Sequence, residues 1–89
     1  MPRVVLTQNL RRHVDVSECT AEGTSVAECL ENVFSRHPKL RSYLLEDTGA
    51  VRQHIAIILD GEPIRDRTAM SDPVTHASEI FVLQALSGG

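Results

Sequence analysis

The residues with the clearest chemical use are Gly88 and Gly89, which follow a strongly apolar segment over residues 79–86 and Ser87. Two residues without Cβ atoms can adopt almost any backbone angle and occupy very little width. Such a tail can enter a narrow channel and place the α-carboxylate of Gly89 against a nucleotide held by another protein. Chain termini tolerate many small residues, so the meaning of the diglycine depends on the elements that precede it.

Residues for catalysis within the chain itself are not recognisable. The sequence has no serine-nucleophile elbow, no glycine-rich phosphate loop and no metal-ligand spacing. Cys19 and Cys29 fit no CxxC pattern, and we expect both to be structural thiols. The histidines are scattered, and we expect each of them on the surface or in a loop: His13, His37, His54 and His76. We therefore predict that the chain is not an enzyme and binds no cofactor or metal of its own.

Composition excludes several classes of partner. The net charge is −3, and the aromatic residues are Phe34, Tyr43 and Phe81 alone. Neither value suits a nucleic-acid-binding protein, which needs basic patches or stacking platforms. No window approaches the ~18 apolar residues of a membrane span, and the first residues do not resemble a secretory signal. We expect a cytoplasmic protein without a nucleic-acid or membrane partner.

Hydrophobic patterning predicts strands at both ends of the chain. Residues 4–7 are β-branched and apolar, and residues 13–17 alternate at period two after a turn at 9–12, so the two segments suggest a hairpin. Residues 55–59 form a continuous apolar run, which predicts a central strand buried on both faces. The Asp60-Gly61 dipeptide predicts a tight turn into a short edge strand at 63–64. Residues 68–73 are predicted to be irregular, and the last strand covers 79–86.

One clear helix lies between these strands. Ser25 and Glu28 fit a capping box, and an apolar stripe follows at helical spacing: Val26, Leu30, Val33 and Phe34. Pro38 should end this helix, and residues 39–46 predict a further helical turn. A single main helix can cover only one face of a sheet. The element order therefore predicts an α+β, β-grasp fold, in which a mixed sheet of four to five strands packs on one main helix. The whole chain, 1–89, is predicted to be one domain with a flexible tail at 87–89.

The uncovered face of the predicted sheet should carry apolar side chains. Ile80 and Val82 share one face of the last strand, and Phe81 and Leu83 share the other. We expect the first pair to point at the helix, and Phe81, Leu83 and Ile58 to lie on the open face. An exposed apolar patch on a small protein usually marks a partner surface. The alternative is that a loop over residues 48–54 covers the patch.

The chain resembles the ubiquitin-like sulfur carriers, the MoaD/ThiS family, which includes the small subunit of molybdopterin synthase and the thiamine-pathway carrier. The resemblance covers essentially the whole chain. It rests on the β-grasp element order, the strand and turn at residues 57–62, and the closing segment at 79–89 with its diglycine.

The resemblance implies a protein co-substrate rather than a catalyst. An ATP-dependent, ubiquitin-activating-like enzyme would adenylate the Gly89 carboxylate, and Gly88 would pass the activating site because it has no side chain. Sulfur from a donor such as a rhodanese or cysteine desulfurase would displace AMP and leave a C-terminal thiocarboxylate. A synthase would then accept the sulfur. Docking on these enzymes would involve Phe81, Leu83 and Ile58 together with Leu86 and Ser87.

The sequence leaves the branch of the family open. The segment 38–54 is similar to that of the longer carriers, including those that supply sulfur for cysteine synthesis. Residues 84–87 differ from the proline-containing end common in molybdopterin carriers. Basic residues like those before the diglycine of ubiquitin are missing. A protein modifier that forms isopeptide bonds and a non-catalytic β-grasp interaction module are the alternatives.

Overall fold

The computed structural model describes residues 1–7 and 18–84 of the chain. Its strands are β1 (Arg3–Leu6), β2 (Glu18–Thr20), β3 (Ile55–Leu59), β4 (Glu62–Pro63) and β5 (Glu79–Gln84). Its helices are α1 (Val26–Arg36) and a shorter α2 (Pro38–Leu44). The strands form one mixed sheet in the order β2-β1-β5-β3-β4, and α1 covers one face of it. This is the predicted β-grasp fold.

Strands β1 and β5 lie side by side in parallel. Val4 pairs with Ile80, and Leu6 pairs with Val82. On its other edge β5 pairs with β3 in antiparallel fashion, with Ile57 opposite Val82. Strand β5 is the central strand of the sheet, and each of its residues is paired with β1, with β3 or with both.

Some predicted element bounds differ from those observed or cannot be compared. The predicted turn at 9–12 and strand at 13–17 lie outside the described residues, and the strand that pairs with β1 is β2. The last strand is described only to Gln84, so residues 85–86 also lie outside. The short edge strand is Glu62–Pro63, one residue earlier than predicted. The helical turn predicted at 39–46 is α2, which begins at Pro38.

The N-terminus of α1 has a hydrogen-bond acceptor for each of its first four backbone N–H groups. Val26 and Ala27 donate to the carbonyl oxygens of Asp72 and Met70, at 3.0 and 2.8 Å. The next two donate to Ser25: Glu28 to the side-chain oxygen and Cys29 to the carbonyl oxygen. The predicted capping box is modified, because the Glu28 carboxylate accepts the N–H of Thr24 instead of that of Ser25.

The segment predicted to be irregular, residues 68–73, is an ordered loop that packs on α1. Met70 lies in the left-handed region at φ 54° and is only 4% exposed. The Asp66 carboxylate holds the loop by accepting the N–H groups of Thr68, Ala69 and Ser71 and the Ser71 hydroxyl. These bonds, led by the one from the Ser71 hydroxyl, lower the pKa of Asp66 to about 2.

The loop should make folding stability sensitive to acid. Because the pKa of Asp66 is lower in the folded chain than in the unfolded one, its contribution is complete above pH ~4 and declines as the pH falls towards ~2. Asp66→Asn should therefore lower the melting temperature at pH 7, and should make its fall between pH 4 and pH 2 shallower than in the wild type. Thermal unfolding at several pH values tests this. Equal acid slopes for the two proteins would contradict it.

The buried side of the sheet and α1 form the main core. Every member of the predicted stripe on α1 is at most 5% exposed, and Ile80 and Val82 are fully buried. One expectation is wrong. The run at 55–59 was expected to be buried on both faces, but Ala56 and Ile58 are only half-buried, because no second layer from residues 1–7 or 18–84 packs against the other face of the sheet.

Neither helix in the described part of the chain is long and apolar enough to cross a membrane.

Candidate functional site

The open face of the sheet, on the side away from α1, carries apolar side chains from several strands. Phe81 is 36% exposed, and Ile58 and Leu83 are half-buried. Their neighbours in the strands, Ile80 and Val82, are fully buried. The predicted division of β5 between two faces is therefore confirmed, while the role of the open side in binding remains a prediction.

The strand register places four apolar residues in one line across the sheet. Phe81 pairs with Val5 of β1 and with Ile58 of β3. Ile58 pairs in turn with Pro63 of β4. Residues paired in register lie on the same face. We call this line the docking row: Val5, Phe81, Ile58 and Pro63. Leu83 and its partner Ala56 extend it by one step along β5 in the direction of the tail.

The turn between β3 and β4 fixes the register of the docking row. Asp60 and Gly61 both have positive φ, at 51° and 89°, which is the requirement of a two-residue hairpin turn. The Asp60 carboxylate accepts the Glu79 N–H at 2.9 Å and the Ser78 hydroxyl at 3.1 Å. These bonds join the β3–β4 turn to the first residue of β5, two residues before Phe81.

The alternative that the loop at 48–54 covers the apolar patch is not supported. The large apolar side chain of this loop, Val51, is 7% exposed and belongs to the main core. Its N–H donates to the Arg67 carbonyl, and the Arg52 N–H donates to the Leu44 carbonyl. The loop is thus held against α2 and residues 65–67, and Phe81 stays accessible.

Charged residues border the docking row. Glu18, which is exposed, pairs with Val5 and so continues the row at the β2 edge. One step along the strands, Arg3 and Glu79 are paired in register and form an ion pair. Both side chains are nearly half exposed, so the pair contributes only ~0–1 kcal/mol to stability. A partner surface would therefore meet an apolar centre with a charged border.

The described cysteines are shielded from solvent to different degrees, and the described histidines lie at or near the surface. Burial raises the pKa of both thiols, Cys19 and Cys29, so each is protonated at neutral pH. Of the histidines in the described ranges, His37 is half-buried, and His54 and His76 are exposed. Within residues 1–7 and 18–84, no group of three metal-ligating side chains comes together.

The structure brings together three of the predicted site residues, Phe81, Leu83 and Ile58. The others, Leu86, Ser87, Gly88 and Gly89, lie outside the described residues. Sequence reasoning missed Val5 and Pro63. Because side chains alternate along a strand, Val5 points to the other face of β1 from the residues on either side of it. Only the long-range register shows that it lies beside Phe81.

The fold is shared with several solved structures. A chain in the Amycolatopsis orientalis BexX/CysO complex has a TM-score of 0.87 at 23% identity, over 100% of both chains. Mycobacterium tuberculosis CysO has a TM-score of 0.84 at 15% identity, over 97% of this chain and 100% of its own. Methanosarcina acetivorans small archaeal modifier protein 1 has a TM-score of 0.83 at 24% identity, over 99% of this chain and 95% of its own. At these identities the likeness establishes the fold alone.

Sequence comparison is more specific about the family. None of the curated protein sequences compared with the chain matches it. The sequence model of the ThiS family, by contrast, matches residues 4–89, which include the diglycine. This match spans nearly the whole chain, and the chain therefore belongs to the ThiS family of ubiquitin-like β-grasp proteins.

Proposed function

We propose that the protein is a sulfur carrier whose Gly89 carboxylate is converted to a thiocarboxylate. The observation that carries this proposal is the ThiS family match, which continues through Gly88 and Gly89. The open face supports it, because an apolar docking surface on β5 leads directly into the segment that ends in the diglycine. The chain would act as a protein co-substrate and would bind no cofactor itself.

The chemistry requires an activating partner that uses ATP. A carboxylate is a poor electrophile, and adenylation of Gly89 gives it AMP as a good leaving group. A sulfur nucleophile, delivered by a rhodanese or a cysteine desulfurase, then attacks the Gly89 carbonyl carbon. The carbon–sulfur bond forms as the bond to AMP breaks. When the nucleophile is a persulfide, the product is an acyl disulfide, and an added thiol supplies the two electrons that cleave its S–S bond and release the thiocarboxylate. The resulting thiocarboxylate would transfer its sulfur to an acceptor synthase in cofactor or amino-acid biosynthesis, of the molybdopterin, thiamine or cysteine type.

Contacts through the docking row would position the C-terminal tail in the active site of the activating enzyme. A short glycine tail loses conformational freedom when it enters an active site, and the contacts of the folded domain must offset that loss. The paired central strand β5 holds Phe81 and Leu83 in fixed positions, so the partner meets a preformed surface.

The thiocarboxylate can be detected directly by intact mass. The purified protein is incubated with ATP, a sulfide source and the adenylating enzyme of the same organism. We expect an increase in mass that corresponds to the replacement of one oxygen atom by sulfur, and we expect the product to be alkylated by a thiocarboxylate-selective reagent. Oxidation of Met or Cys gives nearly the same nominal mass, so a variant lacking Gly89 is the control and should show no alkylatable gain. The mass before incubation verifies that Gly89 is the terminal residue.

One result would overturn the proposal. If the enzyme is shown to be active and the protein still gains no Gly89-dependent alkylatable sulfur, the protein is not a sulfur carrier.

A protein modifier is the second candidate. It is favoured by the fold shared with small archaeal modifier protein 1 of Methanosarcina acetivorans and of Haloferax volcanii, the latter with a TM-score of 0.81. A modifier would use the same activation of Gly89 but would form an amide with a target lysine. Higher-mass conjugates in cells that disappear when Gly89 is deleted would distinguish it from a carrier that transfers sulfur alone.

A further inference from the structure

The chain contains a single lysine, Lys39, among its nine Lys and Arg residues. The distinction matters for a protein activated at its C-terminus. An arginine guanidinium stays protonated and does not accept acyl groups, whereas a lysine ε-amine can lose its proton and attack an activated carboxyl group. The chain therefore offers one ε-amine to an activated Gly89.

The surroundings of Lys39 leave that amine accessible. Lys39 is exposed in the first turn of α2, and Leu40 and Leu44 bury the other side of this short helix. Two carboxylates near α2 are already paired, Glu31 with Arg41 and Glu46 with Arg52. Within the part of the chain that the structure describes, no carboxylate forms an ion pair with Lys39.

A shallow depression lies on α2, and Lys39 stands in the chain between two of its lining residues, Pro38 and Arg41. Its volume is about 260 Å³, and it is lined by Pro38, Arg41, Ser42, Leu45, Glu46 and Asp47. This is several times the ~30 Å³ share of one water molecule, so the depression has room for a short extended segment without side chains. The Asp47 carboxylate on its border has no hydrogen-bond or ion-pair partner among the described residues, and it can accept a backbone N–H.

We infer that Lys39 is an acyl-acceptor site, at which a second copy of the chain forms an isopeptide bond through its Gly89. The inference rests on the proposed activation of Gly89. The Lys39 Nζ attacks the activated carbonyl carbon of the other copy. The carbon–nitrogen bond forms as the bond to AMP breaks, AMP leaves with the electron pair, and the amine proton passes to solvent. The depression receives the diglycine of the donor copy and holds its carbonyl carbon within reach of Nζ.

The test uses a form of the chain that is already activated. The chain is prepared with a 2-mercaptoethanesulfonate thioester at Gly89, and covalent dimer is followed by intact mass and by mapping of the branched peptide. We expect dimer linked at Lys39, and we expect Lys39→Arg to abolish it while keeping the positive charge.

A variant whose single lysine lies at a different exposed position tests whether Lys39 reacts because of its surroundings or only because it is exposed. Arg65 is exposed and its side chain makes no hydrogen bond or ion pair within the described ranges, so Arg65→Lys combined with Lys39→Arg is the matched control. Because the depression would hold the tail next to Nζ, the wild type should form dimer at least about tenfold faster than this control. Equal rates for the two proteins, or dimer that persists in Lys39→Arg, would overturn the inference.

This outcome is independent of the sulfur experiment. The thioester needs neither ATP nor an activating enzyme, so absence of dimer would overturn the inference about Lys39 and leave the carrier proposal intact. Conversely, failure of Gly89 to gain sulfur would not change the thioester result. Lys39→Arg should gain sulfur as the wild type does.

Discussion

Leu30→Ala should lower the free energy of unfolding by ~2–5 kcal/mol, the range for a Leu truncated in a closely packed core. Leu30 is fully buried in α1, the main helix that covers the sheet. A folded protein has a total stability of ~5–15 kcal/mol, so this loss is a substantial fraction of the total. Denaturant unfolding followed by far-UV circular dichroism measures the change.

Phe81→Ala is the matched comparison for that measurement. Phe81 has a larger side chain than Leu30, but it lies on the open face, where truncation leaves no closed cavity. We expect a stability loss of under ~1 kcal/mol, which is ordinary for a surface substitution. A loss at Phe81 as large as that at Leu30 would mean that the open face is covered in solution.

Phe81→Asp should have the largest effect on activation among substitutions that leave the fold intact. It puts a carboxylate at the centre of the docking row, between Val5 and Ile58. An aromatic residue at the centre of an interface commonly contributes ~2–4 kcal/mol to binding. At 1.4 kcal/mol for each factor of ten, kcat/KM for ATP-dependent adenylation of Gly89 should fall by roughly 30- to 1,000-fold.

The control for Phe81→Asp adds the same charge on the other side of the molecule. Ser35 is exposed on α1, so Ser35→Asp changes the net charge equally without touching the docking row. Its kcat/KM should stay within about threefold of the wild type, as expected when a substitution lies outside the contact surface. Similar losses in both variants would indicate long-range electrostatics and would contradict the docking row.

Local patterns in the sequence predicted the parts of the fold that depend on local physics. The helical spacing from Val26 to Phe34 predicted the buried stripe of α1, because a stripe at this spacing must face the core. Alternation over residues 80–83 separated the two faces of β5 for the same reason. The Asp60-Gly61 turn followed from the need for positive φ at both positions.

Features that depend on long-range pairing could not be predicted in this way. Val5 and Pro63 belong to the docking row only because β1 and β4 pair in a particular register with their neighbours. The apolar run at 55–59 predicted two buried faces, since periodicity does not reveal whether a second layer covers the sheet. Residues 68–73 were predicted to be irregular and contain no helix or strand, but the pattern did not reveal that carboxylates at Asp66 and Asp72 order this loop by accepting backbone N–H groups.

The position of β5 has a consequence for biosynthesis. Of the described strands β5 leaves the ribosome last, yet it lies at the centre of the sheet, between β1 and β3. Until it emerges, β1 and β3 have no strand between them, and Val5 and Ile58 cannot be aligned. If the proposed function holds, a translation product that stops before Glu79 therefore lacks both the terminus to be activated and the surface that would compete for the activating partner. Under that proposal, the sheet topology alone keeps products that stop before Glu79 from competing for the partner, before any protease removes them.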